Sequence, residues 1–189
     1  MLLELEEIQK RLDEQFLPME PMLTGFRLVP SVTRQEEIDA LARQLNVAFA
    51  GHFQVMLGRF DFGHFTLGPI AFCNTGDYRA WLLQINDDET PYPWWGQGLR
   101  PGELLLIANS DPYAVLLNNA TEEVLAFEHG QPWRDHAITV AVDFVQFLQG
   151  LGTTMLLRNK QGSNATLAEE VSTDVGGGPG NTFWHWLAR

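Results

Sequence analysis

Five histidines, one cysteine and paired acids such as Asp87-Asp88-Glu89 and Glu122-Glu123 are residues in this chain able to hold a metal, attack a carbonyl or move a proton. The histidines are His52, His64, His129, His136 and His185. A zinc site wants three or four converging ligands, commonly at short characteristic spacings. His129, Asp135 and His136 form the nearest cluster, but six residues separate the two histidines and the spacing fits no ligand pair. They read as structural or surface histidines. Cys73 ends an apolar run in which a cysteine behaves as a small hydrophobe, and nothing near it in sequence would lower its pKa. The stretch Gly176-Gly177-Gly178-Pro179-Gly180 lacks the Lys-Ser/Thr that completes a phosphate loop. Pro179 also removes an amide that would face phosphate, so the stretch reads as a hinge or linker. These residues nominate no catalytic group, no metal ligand set and no cofactor.

The acids Asp87, Asp88 and Glu89, and the pair Glu122 and Glu123, lie in turn-like sequence. No apolar flank is visible that would raise one carboxyl into acid–base service. They read as solvated charge, or as an acidic patch for a basic partner if the turns share one edge of the sheet. Trp94, Trp95 and Trp133, with Tyr92, are the aromatic counterpart. Exposed indoles anchor interfaces or stack on sugars. Alternatively the loop packs onto the sheet by its own tryptophans.

The chain has 189 residues, 24 acidic and 12 basic, for a net charge of −12. Phosphate backbones and anionic lipids repel such a chain, so neither nucleic acid nor membrane is expected as a partner. A basic protein is steered toward it. With 45% hydrophobic and 19% charged residues the composition is globular. A single cysteine, an acidic start (Glu4, Glu6, Glu7) and no apolar run of about 18 residues predict a cytoplasmic location.

The elements that must position these residues follow from periodicity. Leu5, Ile8, Leu12 and Phe16 predict a helix over 2–16, followed by a proline-rich lead-in to residue 30. Thr33 and Glu36 form a capping box for a helix carrying Ile38, Leu41 and Leu45, and residues 47–57 form another helical segment. Residues 65–73, interrupted by Gly68 and Pro69, read as an edge or bulged strand. Strands are predicted over 79–85, 103–108, 113–118 and 123–128, joined by short turns with no helix between them. Val140, Phe144, Phe147, Leu148 and Leu151 read as a helix closed by Gly150 and Gly152. After a polar run, Asn181 caps a short helix with Phe183, Trp184, Trp186 and Leu187, which docks on this domain or on a second chain. The expected fold is α+β, an antiparallel sheet of about five to six strands with helices packed on one face.

Several of these runs resemble the SUKH superfamily in order and spacing. Leu28-Val29-Pro30-Ser31, with the capped helix after it, is similar to the opening of those domains. Pro69-Ile70-Ala71-Phe72-Cys73-Asn74-Thr75-Gly76-Asp77-Tyr78 resembles their strand–turn–strand, and Leu106-Ile107-Ala108-Asn109-Ser110 with Tyr113-Ala114-Val115-Leu116-Leu117 their next hairpin. Glu123-Val124-Leu125-Ala126-Phe127-Glu128-His129-Gly130 is similar to the strand before the closing helix, and residues 140–148 to that helix. The resemblance spans 28–151 and divides the chain into a leading helix and linker (1–27), a SUKH-like domain (28–151) and a C-terminal extension (152–189). It implies a non-enzymatic binding domain. Many bacterial members neutralise a polymorphic toxin, often a basic nuclease; eukaryotic members are interaction hubs in cell-wall signalling. The expectation is an immunity protein, with Asp87, Asp88, Glu89, Trp94, Trp95, Glu122, Glu123 and Trp133 as its partner-binding residues. A scaffold for an endogenous partner is the alternative. A small metal-dependent hydrolase using His129 and His136 is the third.

Overall fold

The computed structural model describes residues 1–160 and 162–189. The apolar residues of Leu5–Phe16 (α1) fall at helical spacing, and Leu5, Ile8 and Leu12 are buried. A single 3-10 turn at Leu17–Met19 follows. The short strand Val29–Pro30 (β1) pairs with Phe60–Asp61 (β2), and between them run the helices Gln35–Gln44 (α2) and Gly51–Arg59 (α3). The cap of α2 lies one residue later than expected, because Thr33 stays outside the helix. The Glu37 carboxylate accepts from the Arg34 N–H at 3.0 Å, and the Thr33 N–H donates to Ser31 Oγ at 3.0 Å.

The main sheet is a six-stranded antiparallel meander whose strands are neighbours in sequence order: Thr66–Leu67 (β3), Ile70–Ala71 (β4), Leu104–Asn109 (β5), Tyr113–Asn118 (β6), Val124–Glu128 (β7) and Ile138–Ala141 (β8). The predicted strand over 65–73 is a tight hairpin, since Gly68 and Pro69 reverse the chain between β3 and β4.

The expected strand over 79–85 is instead the helix Tyr78–Ile85 (α4), inserted between β4 and β5. Asp77 caps it by accepting from the Ala80 N–H at 3.1 Å. Tyr78 and Leu82 are buried in the main core, while Ile85 packs on the other cluster and Trp81, four positions before it, packs on both. Both pairs have the i, i+4 spacing of a helix with two apolar faces, a pattern easily mistaken for a strand.

Val140, expected in a helix, lies in β8, where β-branched neighbours suit the pleat. The helix begins later as Phe144–Leu157 (α6), capped by Asp143, and runs through Gly150 and Gly152 instead of ending there. Those glycines let other helices approach. A Cβ on Gly150 would lie 2.5 Å from Trp184, and one on Gly152 would lie 2.6 Å from Ile8. Part of the polar run forms Asn164–Asp174 (α7), and Asn181 caps Thr182–Leu187 (α8) as expected. That last helix docks on its own chain, with Phe183 and Trp184 fully buried.

Sheet alternation divides the apolar residues between two faces. Leu105, Ile107, Val115, Leu117, Val124 and Ala126 join the main core, which includes residues of α1, α3, α6 and α8. Leu106, Ala114, Leu116 and Phe127 form a smaller cluster on the other face, where Trp81, Trp94 and Trp133 pack. The main core draws on residues from Leu5 to Ala188, so it spans the leading helix, the central segment and the C-terminal extension. Among the described residues no helix is long and apolar enough to cross a membrane.

Candidate aromatic interface

The tryptophans meet over the second face of the sheet. Trp94 packs edge-on against Trp95 at 5.3 Å and against Trp133 at 5.9 Å between ring centroids. Trp133 opens the one-turn helix Trp133–His136 (α5). Together with Phe127, Pro93 and Pro132 they line a groove of about 580 Å³, with His129, Gln131, Arg134 and Asp135 also in its lining. Trp95 is 3% exposed and donates Nε1–H to the Gly98 carbonyl, so it is a buried support. Trp94 and Trp133 are half-buried, and Tyr92, two residues before Trp94, is 93% exposed. Among the described residues the Trp133 Nε1–H has no acceptor, and the Arg134 guanidinium lies 5.0 Å from the ring centre.

Two residues that sequence reasoning passed over hold this strap, residues 86–103. Asn86 is buried and uses its whole side chain. Its Nδ2 donates to the carbonyls of Leu82 and Leu106 at 2.9 and 3.0 Å; its Oδ1 accepts from Leu106 N–H at 2.8 Å and Trp94 Nε1–H at 3.1 Å. Arg100 closes the other end. Its guanidinium donates to the carbonyls of Leu45 (2.6 Å), Leu104 (2.7 Å) and Asn86 (3.2 Å), and burial pulls its pKa down. Five guanidinium N–H donors suit such a node of carbonyls. Neither residue announces itself in sequence, because Asn86 and Arg100 look like ordinary loop polars until the strap is folded over the sheet.

The acids separate into two places. Asp87 Oδ1 accepts from the Glu89 N–H at 2.9 Å and Asp88 Oδ1 from the Arg100 N–H at 2.9 Å, so both shape the strap, while Glu89 is exposed. Glu122 and Glu123 stand in the β6–β7 turn, and Glu123 is about 13 Å along the strand from Phe127 in the groove. Glu122 accepts from the Gly51 N–H at 3.1 Å, at the start of α3, and pairs with His52 Nδ1. That hydrogen bond raises the His52 pKa above its ordinary value and lowers that of Glu122. Glu123 accepts from Thr121 Oγ1 at 2.9 Å. Three of the five carboxylates thus lie on the aromatic strap, Glu122 ties the β6–β7 turn to α3, and Glu123 bonds within its own turn.

Three of the other four histidines also have local partners. His64 Nε2 contacts Thr24 Oγ1 at 3.1 Å, His129 Nε2 contacts the Ser110 carbonyl at 3.0 Å, and His185 Nε2 contacts Glu169 at 2.7 Å. Cys73 is buried against Thr75. Among the described residues no three of His, Cys, Asp and Glu converge as metal ligands would. No protein-family model, no curated protein and no solved structure matches this chain.

Proposed function

We propose that this chain is a protein-binding domain, an immunity protein that neutralises a basic, nuclease-like toxin. The observation that carries the reading is a pre-built aromatic groove on a chain of net charge −12. Hydrogen bonds from Asn86 and Arg100 restrain the strap before any partner arrives, so less conformational entropy is lost on association. Trp94 and Trp133 supply rigid, half-buried anchor area, and Asp87, Asp88 and Glu89 supply negative charge on the same strap. The resemblance of residues 28–151 to SUKH domains favours the same class. In this mechanism a basic toxin is steered in by charge and its active cleft is covered where the indoles seat.

The test is calorimetric titration at low and moderate salt with a toxin-like domain encoded by a neighbouring gene. Nanomolar binding that weakens with salt is expected. Trp94→Ala or Trp133→Ala should weaken it at least about thirtyfold, the size of a hot-spot loss of 2 kcal/mol. Reversing Asp87, Asp88 and Glu89 should slow association more than it speeds dissociation. A folded, active toxin domain that does not bind would overturn the toxin reading and leave an endogenous partner, sought by pull-down from native cytosol.

A further inference from the structure

A second concavity, of about 250 Å³, opens where α2, β2 and the start of α4 converge. Its walls include Ile38, Leu41, Leu57 and Phe62, all drawn from the main core. Asp61 and Asp77 stand exposed among the lining residues. The two are brought together by a close backbone approach. A Cβ on Gly63 would lie 2.4 Å from the Gly76 carbonyl oxygen, so only glycine lets the segment after β2 lie against the turn before α4.

Each carboxylate spends one oxygen on its own backbone. Asp61 Oδ1 accepts from the Gly63 N–H at 2.8 Å, and Asp77 Oδ1 accepts from the Ala80 N–H at 3.1 Å. The nearby cations are drawn elsewhere: Glu37 is paired with Arg79 at 2.6 Å and with Arg34 at 3.8 Å. Among the described residues neither Asp61 nor Asp77 takes part in an ion pair. Arg79 feels their field, and its pKa is raised first by Glu37 and then also by Asp77 and Asp61.

Arg79 itself lines the pocket beside the apolar residues, but its charge is matched by Glu37, so the two aspartates leave the pocket net negative. An anion is repelled, and a purely apolar group would strip water from the carboxylates without replacing it. An alkyl stem ending in a cation meets both demands, since the stem lies on the wall and the head bonds the free carboxylate oxygens. We propose that this pocket receives one basic side chain, arginine or lysine, from the protein partner. The proposal rests on the reading of that partner as a basic protein.

The experiment is an NMR titration of the full-length 15N-labelled chain with N-acetyl-arginine amide, N-acetyl-lysine amide and N-acetyl-citrulline amide, in which a neutral urea replaces the guanidinium. Saturable shifts at the amides of Val32, Thr33, Asp61 and Asp77 are expected with arginine or lysine and not with citrulline. The stronger of the two cationic probes identifies the side chain. The double variant Asp61→Asn/Asp77→Asn keeps acceptors for the Gly63 and Ala80 amides and should bind the cationic probe at least about tenfold more weakly. No saturable response to either cation, an equal response to citrulline, or an unchanged double variant would each overturn the proposal. The arms are separable from the toxin test. Probe binding without toxin binding removes the toxin and keeps the pocket, whereas toxin binding with a silent probe does the reverse.

Discussion

Glu122 adopts φ +70° in the turn between β6 and β7, a conformation that costs a non-glycine residue about 1–2 kcal/mol. Its carboxylate there reaches the first N–H of α3 and the His52 ring, and Asp143, the cap of α6, stands 3.7 Å from the same ring. The signs of the two pKa shifts set a pH window. His52 is raised, so its contribution is complete below the unfolded histidine value of 6.5 and is lost as pH rises through the higher folded value. Glu122 is lowered, so its contribution is complete above 4.5 and is lost as pH falls through the lower folded value. The stability difference between the native chain and Glu122→Gln, read from urea midpoints, should therefore be largest between pH 4.5 and 6.5 and shrink on both sides. A difference that is flat from pH 4 to 8 would remove the ion pair. In sequence Glu122 was legible as a turn acid. Its histidine was not, because 70 positions separate them and only the meander brings α3 beside the turn.

At the scale of elements, what could be read and what could not divide by where the packing information lies. The strands over 103–128 are bounded by turn residues and carry continuous apolar runs, so the central hairpins were legible. α4 was not, because its two apolar faces serve two different clusters and local periodicity cannot say so. The glycines of α6 look like a helix stop in the sequence, whereas in the fold they make contact with α1 and α8. Gly152→Ala tests that role. Alanine gains about 1 kcal/mol in helix propensity, but its methyl would stand 2.6 Å from Ile8 Cδ1 and 2.7 Å from Cγ2, and overpacking costs about 1–3 kcal/mol. Ile8 is fully buried and has little room to give. The variant should lose about 1 kcal/mol by chemical denaturation. In an Ile8→Ala background the clash disappears and the same change should stabilise. Stabilisation in the native background would show that α1 and α6 are not in tight contact.

At the scale of the whole molecule, the acidic balance and the α+β class were legible from composition and periodicity, while the relation of the ends to the middle was not. Residues 28–151 carry the sequence resemblance, yet the main core also takes Leu5, Ile8 and Leu12 from one side and Phe183, Trp184 and Leu187 from the other. Phe147 of α6 packs 6.0 Å from Phe183 and 6.3 Å from Trp184, between ring centroids. The C-terminal residues also cover the edge of the sheet. Trp184 Nε1–H donates to the Val140 carbonyl and Asn181 Nδ2–H to that of Thr139, each at 2.9 Å, while the Val142 N–H donates to the Val175 carbonyl at 2.9 Å. An uncovered edge strand invites pairing with another chain. A fragment of residues 28–151 thus loses core on one face and cover on the β8 edge together. It should elute as oligomer or aggregate and melt without a cooperative transition, whereas the full chain melts sharply by circular dichroism. A fragment that melts cooperatively as a monomer would make the ends accessory. A fragment that fails would make α1 and α8 part of the folding unit that sets the aromatic groove in place.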